Sequence, residues 1–401
     1  MRTSASREGI YYLLIVFALF IGAFVREVNA MLLFAMLLLA PVSFAWYAGR
    51  KTLRKITVKR TVPDRIFAGT PFTIGIEVAK TRTAGLFFRS SWGIVVTDRL
   101  RRLSQTEPPL PEKMLEPAVY FPYLPGGQTV YQSYSGCLPQ RGRYRFERVR
   151  VSTLFPFGFF RNWADLPVEM SARNNDSEFC VYPQIGRLSN RWRVQQRETE
   201  ESLQRTRFRR SRQVGEFLGV RPWQQGDAKR NIHWRSFAKH RSPVVRQYEL
   251  NQNRDYAVIL DLFDSGQNND AISEHFELAV SFTATLVTDW VNSGSGTLFF
   301  AANNKHGTIF DSLHYSLLDT VLKQLASAVP GKHDYLQEIL LKVPAQVHSE
   351  IIFVTFSGSG DHLASRLSAL QSDSRLPDVL RRFRIVDTSG SGFDELFTAG
   401  Q

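Results

Sequence analysis

Two long apolar runs lie close together near the start of the sequence. Residues 9–25 and 30–49 contain no charged side chain, and only residues 26–29 separate them. An α-helix rises about 1.5 Å per residue, so runs of this length approach or reach the roughly 30 Å thickness of the hydrocarbon core of a bilayer. The pattern therefore predicts a transmembrane helical hairpin over residues 1–49.

Basic residues flank this predicted hairpin. Arg2 and Arg7 precede the first run, and six Lys and Arg residues follow the second run within residues 50–60. Positively charged flanks remain in the cytoplasm, so both ends of the hairpin are expected there, with residues 10–60 in contact with lipid. A cleaved signal peptide is the alternative, because residues 28–30 place small or apolar side chains at the positions that a signal peptidase inspects.

Apolar and polar residues alternate from residue 50 to about residue 185. Ile74, Ile76 and Val78 are separated by small or polar residues, and Pro and Gly interrupt successive runs of this kind. A period of two residues is typical of half-buried antiparallel strands, so we expect a β-sandwich-like domain. For its aromatic turn (residues 155–160) two interpretations stay open: a plug that closes one end of the sandwich, or a docking surface for a partner.

Residues 251–401 change to an alternation of buried strands and amphipathic helices. Strands are predicted at residues 256–262, 296–301, 351–356 and 383–386, and helices at residues 272–291, 313–329, 335–342 and 362–371. This order predicts a doubly wound α/β domain with a largely parallel sheet. Ligands of such sheets bind at the carboxyl ends of the strands, here around residues 261–267 and 357–361.

Residues 186–250 connect the two domains and carry most of the positive charge. Residues 187–246 contain 14 Arg and 2 Lys against 5 acidic residues (16 − 5 = +11), whereas the whole chain has a net charge of +13. The first part, residues 187–212, is polar and predicts an exposed linker or helix.

The second part of this segment is the most distinctive stretch of the chain. Asp227 can accept a two-pronged hydrogen bond from Arg221 or Arg230, which would make the loop rigid. Trp223 and Trp234 are expected to be buried anchors. Two roles follow for this stretch, an internal clasp between the β domain and the α/β domain or a dock for a partner.

Taken together, these features resemble the bacterial domain of unknown function 58 family. The resemblance is strongest in what we call the signature block, formed by Gly215, Glu216, Phe217, Arg221, Gly226, Asp227, Arg230, Ile232, Trp234, Ala238 and Lys239. It implies an α/β domain similar to von Willebrand factor A domains and a location in the bacterial cytoplasmic (inner) membrane. It also implies two protein partners, a MoxR-type AAA+ ATPase and a transglutaminase-like membrane protein.

The likeness to von Willebrand factor A domains raises the question of a magnesium site, because such domains can hold Mg²⁺ with a D-x-S-x-S loop and a later Asp. Here Phe263 replaces the first Ser of that loop, and Phe356 stands in a turn that usually supplies a carboxylate. The degenerate candidates that remain are Asp261, Asp264, Ser265 and Asp361. With two ligands missing, we expect polar residues that cap helices, no metal site and no cofactor.

Several classes of function lack the residues that they need. Cys137 and Cys180 are the only cysteines, so a disulfide-built fold is excluded and no zinc-ligand spacing is present. The sequence contains no G-x-x-x-x-G-K-[ST] phosphate loop, and no pair of nucleophile and base stands out. We therefore assign no catalytic residue, and we expect the basic segment to pack and pair internally without binding nucleic acid.

One type of function accounts for all of these features. A non-catalytic adaptor or scaffold would need a membrane anchor, a β spacer and a cytoplasmic α/β domain that contacts protein partners. The alternative is an uncharacterised enzyme or a metal-dependent binding protein that acts at the membrane.

Overall fold

The computed structural model divides the chain into two compact units, Met1–Tyr182 and Pro183–Gln401. The described residues are 1–81, 89–103, 115–170, 178–199, 216–225, 227, 229, 232–240, 242–249, 255–264, 270–294, 296–303, 308–344, 347, 350–356, 360–371, 377–390 and 392–400.

Two apolar helices dominate the start of the first unit. The elements there are β1 (Arg2–Ala5), α1 (Arg7–Arg26) and α2 (Asn29–Thr52). Glu27 adopts a left-handed backbone conformation with φ of 53°, which ends α1 and lets the chain reverse. The helices pack side by side, and the Tyr12 hydroxyl donates a hydrogen bond to the Leu38 carbonyl at 3.0 Å. Both helices are long and apolar enough to cross a membrane, so the predicted hairpin is compatible with a membrane anchor.

The rest of the first unit is β-structure. Its strands are β2 (Ile56–Thr61), β3 (Ile66–Phe67), β4 (Pro71–Lys80), β5 (Ser91–Thr97), β6 (Leu100–Arg102), β7 (Ala118–Leu124), β8 (Thr129–Cys137), β9 (Gly142–Phe146), β10 (Val149–Thr153), β11 (Phe160–Leu166), β12 (Val168–Met170) and β13 (Glu178–Tyr182). They form three sheets with the orders β1-β11-β10-β5-β7, β12-β2-β4-β8 and β3-β13-β9-β6.

Apolar side chains from two of these sheets meet in one core. Ile74, Ile76 and Val78 of β4 are fully buried, which confirms the alternation that the sequence predicted. They belong to the same apolar cluster as Ile94 of β5 and Phe121 of β7, so two sheets pack face to face.

A buried ion pair lies inside this β-rich body. The Arg60 guanidinium donates to the Asp98 carboxylate, with Nε at 2.9 Å from Oδ2, and it lies over the Phe146 ring at 4.0 Å. Tyr134 donates its hydroxyl to Asp98 at 2.8 Å. Burial and the negative charge of Asp98 raise the pKa of the Tyr134 hydroxyl. Arg60 was expected to face lipid headgroups with its basic neighbours, and this expectation is wrong because β2 turns its side chain inward.

The aromatic turn connects β10 to β11 and lies against the two apolar helices. Phe159 stacks on Tyr12 of α1 with ring centroids 4.5 Å apart, and Phe157 contacts Phe44 of α2. The Phe157 side chain is 53% exposed. Phe155, Phe159 and Phe160 are half-buried, so a plug at one end of the sandwich stays possible for them, whereas the Phe157 ring does not take part in it.

The second unit contains an α/β sheet and two smaller strand pairs. Its strands are β14 (Arg187–Leu188), β15 (Glu216–Pro222), β16 (Val244–Glu249), β17 (Asp255–Leu260), β18 (Thr297–Ala302), β19 (Thr308–Ser312), β20 (Ile351–Thr355), β21 (Phe383–Asp387) and β22 (Phe397–Thr398). Its helices are α3 (190–199), α4 (Trp234–His240), α5 (Asp270–Ser293), α6 (Tyr315–Ala326), α7 (Leu336–Leu341), α8 (Gly360–Gln371) and α9 (Pro377–Leu380).

The α/β sheet has the order β19-β18-β17-β20-β21. The four strands β18, β17, β20 and β21 run parallel to one another. The edge strand β19 pairs with β18 in the antiparallel direction. All four predicted strands of the parallel part are present, whereas the edge strand β19 was missed. A five-residue strand with an exposed face carries little hydrophobic signal.

Helices cover both faces of this sheet. On one face, Leu336 and Ile339 of α7 pack with Ile259 of β17. On the other face, Trp290 of α5 stacks on Tyr256 of β17 with ring centroids 4.6 Å apart. Adjacent residues of β17 alternate between the faces, which is why the whole strand reads as apolar.

Residues 183–199, the first of the second unit, are folded onto the rest of that unit. β14 pairs with β22, and the Trp192 side chain of α3 is fully buried with its ring edge-on to Phe282 of α5. Arg384 lies over the Trp192 ring at 4.1 Å. Of the two forms predicted for residues 187–212, an exposed linker or an exposed helix, the helix is found at residues 190–199, where Trp192 is the buried anchor; residues 200–215 lie outside the described residues.

Candidate functional site

The signature block is built on a two-stranded antiparallel sheet. β15 pairs with β16 so that Arg221 lies opposite Val245, and α4 lies in the connection between the two strands. Backbone hydrogen bonds close the connection at both ends. Trp223 donates to the Pro243 carbonyl at 2.9 Å, and His233 donates to the Val244 carbonyl at 2.8 Å.

Arg221 and Asp227 form the two-pronged hydrogen bond that the sequence predicted as one of two choices. Both guanidinium nitrogens of Arg221 lie 2.7 Å from a carboxylate oxygen of Asp227. Asp227 also accepts the backbone N–H of Gln224 at 2.9 Å, and its carbonyl accepts the indole N–H of Trp223 at 3.3 Å. The hydrogen bonds from Arg221 and Gln224 lower the pKa of Asp227, and the bond to Asp227 raises the pKa of Arg221.

This ion pair lies near the surface. The Arg221 side chain is 37% exposed and the Asp227 side chain 19% exposed. Water and salt weaken a pair of this kind, so its contribution is mainly to fix the shape of the loop. Arg230, the second predicted donor, lies outside the described residues.

Aromatic side chains of α4 project from the surface next to this loop. Trp234 is 63% exposed, and Phe237 packs edge-on against it with ring centroids 5.9 Å apart. Val220 of β15 is also exposed. Ser236 Oγ of α4 lies 2.7 Å from His233 Nδ1. The expected burial of Trp234 is wrong, because among the described side chains of α4 only that of Ser236 is half-buried and the others are exposed.

The structure describes the remaining members of the signature block only in part. Gly215, Gly226 and Arg230 lie outside the described residues, and only the backbones of Glu216, Phe217 and Lys239 are described. Ile232 is half-buried and bridges to Val245, and Ala238 is exposed. Within the described part, the block therefore combines a fixed loop with an exposed aromatic pair.

A second cluster of polar side chains lies at the carboxyl edge of the α/β sheet. Asp261 follows β17 and is completely buried. Asn303 follows β18 and donates to Asp261 at 2.9 Å and to Asp334 at 3.0 Å. The Tyr335 backbone N–H donates to the Asn303 side-chain oxygen at 2.7 Å, which fixes the orientation of that amide.

Arg366 of α8 neutralises both carboxylates of this cluster. It donates to the two oxygens of Asp261 at 2.8 and 3.2 Å and to Asp334 at 2.7 Å. Its guanidinium also lies over the Phe263 ring at 4.6 Å. Burial on its own would lower the pKa of Arg366, but its bonds to the two carboxylates outweigh burial and raise that pKa.

The predicted degenerate metal ligands do not come together in the described part of the chain. Asp261 is bound by Arg366, and the Asp264 backbone N–H donates to the Gly331 carbonyl at 2.9 Å. Ser265 lies outside the described residues, and of Asp361 only the backbone in α8 is described. Among the described residues, no three His, Cys, Asp or Glu side chains form a group that could hold a metal ion.

Sequence reasoning missed three members of this cluster: Asn303, Asp334 and Arg366. Asn303 follows a predicted strand, so its position at the sheet edge was available from the strand order. Arg366 carried no such signal, because it lies 105 residues from Asp261 within an ordinary amphipathic helix.

Comparison with known proteins locates the family resemblance. Residues 219–339 match the family model described as "Protein of unknown function DUF58", which confirms the family indicated by the signature block. The uncharacterized protein YeaD of Bacillus subtilis (strain 168) is 24% identical over 176 residues. That alignment covers 44% of this chain and 39% of YeaD.

Similarities to solved structures are weak. A CARDB domain of Pyrococcus furiosus is 12% identical, with 32% of this chain and 92% of that chain covered at a TM-score of 0.18. The sporulation control protein Spo0M of Bacillus subtilis is 13% identical, with 49% and 66% covered at a TM-score of 0.18. Scores this low support no conclusion about fold or function.

Proposed function

Because residues 219–339 match the DUF58 family, we propose that this chain is a non-catalytic, membrane-anchored adaptor of that family. Its α1–α2 hairpin holds the protein in the bacterial inner membrane with both soluble parts in the cytoplasm. Its α/β domain, similar to von Willebrand factor A domains, presents the signature block to protein partners. The partners that we propose are a MoxR-type AAA+ ATPase and a transglutaminase-like membrane protein.

The exposed aromatic pair on α4 carries this proposal. Trp234 and Phe237 are both exposed and pack edge-on against each other, in the same connection between β15 and β16 as the loop that Arg221 and Asp227 hold. Trp is enriched at the centres of protein interfaces, and a preformed loop loses little entropy when a partner binds. This combination supports a dock for a partner over an internal clasp.

The cluster at the sheet edge supports a non-catalytic role. Catalysis or metal binding there would require free carboxylates, but Arg366 occupies both Asp261 and Asp334. An arginine that bridges two acids supplies the positive charge that a divalent cation would otherwise supply. An enzyme or a metal-dependent binding protein, the alternative function, would have to displace this side chain first.

The membrane location can be tested by itself. Reporter fusions at Gln401 are expected to give an active fluorescent protein and an inactive alkaline phosphatase, since a cytoplasmic C-terminus keeps the phosphatase reduced. Active alkaline phosphatase at this position would contradict the proposed topology and leave the dock without access to a cytoplasmic ATPase.

The dock is tested by binding between purified proteins. The full-length chain in detergent is immobilised, and a purified MoxR-type ATPase from the same genome is passed over it with and without ATP. We expect Trp234→Ala to abolish retention of the ATPase. The matched control is Tyr315→Ala, which removes another highly exposed aromatic side chain of the second unit and should leave retention unchanged.

Asp227→Ala distinguishes the dock from the clasp. In a dock, loss of the Arg221–Asp227 pair loosens the loop, so binding weakens while the melting temperature of the full-length protein changes little. A large drop in melting temperature would support the clasp. Equal retention of the ATPase by the wild type, Trp234→Ala and Asp227→Ala would refute the dock.

A further inference from the structure

The aromatic turn is fixed to the base of the helical hairpin by backbone and side-chain contacts. Ser6, which precedes α1, donates its hydroxyl to the Gly158 carbonyl at 2.5 Å, and its backbone N–H donates to the Phe159 carbonyl at 2.9 Å. The same hydroxyl accepts the Gly9 N–H at 2.9 Å and thereby caps α1. One serine therefore joins the first turn of α1 to the tip of the aromatic turn.

Both helices have a glycine where the β domain approaches. A Cβ atom on Gly9 of α1 would collide with the carbonyl oxygen of Phe159. A Cβ atom on Gly49 of α2 would collide with the side chain of Asn162 and would lie 3.1 Å from the Phe155 carbonyl oxygen. The turn and the start of β11 are therefore seated directly on helix backbone, so their position along the helices is fixed.

Aromatic and basic side chains of α2 mark the level of the membrane interface. The Arg50 guanidinium lies over the Trp46 ring at 4.9 Å, and the Lys51 ammonium lies over the Tyr47 ring at 4.7 Å. Trp and Tyr are concentrated at the headgroup level, and Lys and Arg near helix ends extend toward water. Residues 46–51 thus correspond to the headgroup region on the β-domain side.

Phe157 reaches past this level toward the middle of the hairpin. Its ring lies 6.3 Å from that of Phe44, which precedes Trp46 on α2 and so lies about 3 Å deeper along the helix axis. Phe44 is 48% exposed and Phe157 is 53% exposed, so the two rings form one continuous apolar surface. That surface continues the lipid-facing side of α2.

More apolar side chains surround the base of the aromatic turn. Leu154, which precedes the turn, is exposed, and so are Trp92 and Tyr123 of the adjoining strands. The rings of Trp92 and Tyr123 lie 4.4 Å apart, and the Tyr123 hydroxyl lies 3.0 Å from Ser90 Oγ. Rings with an apolar face and a polar end are suited to the boundary between lipid and water.

We infer that the aromatic turn is a third membrane-inserted segment, in which Phe157 enters the acyl region and Trp92 and Tyr123 rest among the headgroups. The occupant of this surface is the lipid bilayer, because the surface continues the apolar side of α2 at the same depth. The inference rests on the proposed membrane anchoring of α1 and α2. It adds that the β domain lies directly on the bilayer, where its orientation is fixed.

Spin labels on the full-length protein in lipid nanodiscs test this insertion. One variant carries a label at Phe157→Cys with Cys137 and Cys180 replaced by Ser. A second variant retains only native Cys137, which is exposed and pairs with Pro71, at the end of β4 farthest from Lys80. Lys80, at the other end of β4, donates a hydrogen bond to the Thr52 carbonyl at the end of α2. The length of β4 therefore separates Cys137 from the helices by about 30 Å.

The measurement is the accessibility of each label to oxygen, which concentrates in lipid, against a nickel chelate, which remains in water. We expect the label at position 157 to favour oxygen and the label at Cys137 to favour the nickel chelate. A third variant, Phe34→Cys in the first half of α2, far from its basic end at Arg50 and Lys51, reports whether the anchor itself is in lipid. A label at 157 that favours nickel while the label at 34 favours oxygen would overturn the insertion alone; nickel preference at both would overturn the anchoring as well.

Discussion

Arg366 holds Asp261 through both carboxylate oxygens, although the two residues are 105 positions apart in the sequence. The same guanidinium also reaches Asp334. α/β domains commonly bind ligands at the carboxyl edge of the sheet. In this chain the guanidinium of Arg366 occupies that edge.

Replacing Arg366 with Ala is expected to destabilise the protein strongly. The change leaves the buried carboxylate of Asp261 without its partner, a loss of about 3–5 kcal/mol in the free energy of unfolding. Thermal melting of the full-length protein in detergent measures this loss. The control is Arg191→Ala, which removes an ion pair with Glu395 whose two side chains are each 61% exposed, and which should melt like the wild type.

The same Arg366→Ala variant should respond to divalent cations. With the guanidinium gone, the carboxylates of Asp261 and Asp334 lose their cation, and carboxylate oxygens are the ligands that Mg²⁺ and Ca²⁺ prefer. We expect added Mg²⁺ or Ca²⁺ to raise the melting temperature of the variant and to leave that of the wild type unchanged. An equal rise in the wild type would show that Arg366 does not close the site.

The acid stability of the protein should depend on Asp334. Burial alone would raise the pKa of this carboxyl, but hydrogen bonds from Arg366 and Asn303 outweigh burial and hold it below its ordinary value of 3.8. A lowered pKa in the folded state stabilises the fold above the unfolded value, and this contribution is lost as the pH falls through the folded value. Melting curves from about pH 7 to about pH 3 should therefore fall less steeply for Asp334→Asn than for the wild type.

Two neighbouring basic residues of β2 should differ sharply in their effect on stability. Arg60→Ala leaves Asp98 buried and unpaired, so we expect a loss of about 3–5 kcal/mol. Lys59→Ala changes an exposed side chain on the other face of the same strand and should have little effect. Chemical denaturation of both variants gives the comparison. Similar stabilities would mean that Arg60 faces solvent or lipid instead of Asp98.

Two glycines of α1 should respond differently to Ala. Gly9→Ala places a methyl group against the Phe159 backbone, so the aromatic turn has to move away from the helix. Gly22→Ala meets only the flexible end of the Met31 side chain. We expect Gly9→Ala to lower the melting temperature and to speed proteolysis between β10 and β11, and Gly22→Ala to do neither. Equal resistance to protease in the two variants would contradict the seating of the turn.

Local patterns in the sequence were sufficient for most of the elements. The two uncharged runs, the alternation around Ile74 and the apolar strands of the α/β sheet are each periodic within one segment, and each corresponds to an element of the structure. The predicted fork between Arg221 and Asp227 was also accessible, because only six residues separate the two side chains.

Contacts between distant residues could not be obtained in this way. Arg60 and Arg366 look like ordinary surface charges in sequence. Their pairing with Asp98 and Asp261 explains why Arg60 is buried and why Arg366 is only 14% exposed. The prediction for Trp234 was wrong in the opposite sense, because this side chain was expected to be buried and is exposed. The burial expected of a Trp side chain is an average over many proteins. Trp234 departs from this average, because its side chain is 63% exposed.

The pairing of β1 with β11 joins chain from before and after the helical hairpin in one sheet, which has a consequence if the hairpin spans a membrane as proposed. Arg2 lies opposite Trp163 and Ala5 opposite Phe160, so one sheet contains chain from both sides of the helical hairpin. A molecule in which only one helix crosses the bilayer would hold β1 and β11 in different compartments, and the edge of the sheet would stay open. Correct insertion of the hairpin is in this sense a condition for completing the β domain, and an open sheet edge would mark misinserted molecules for aggregation or degradation.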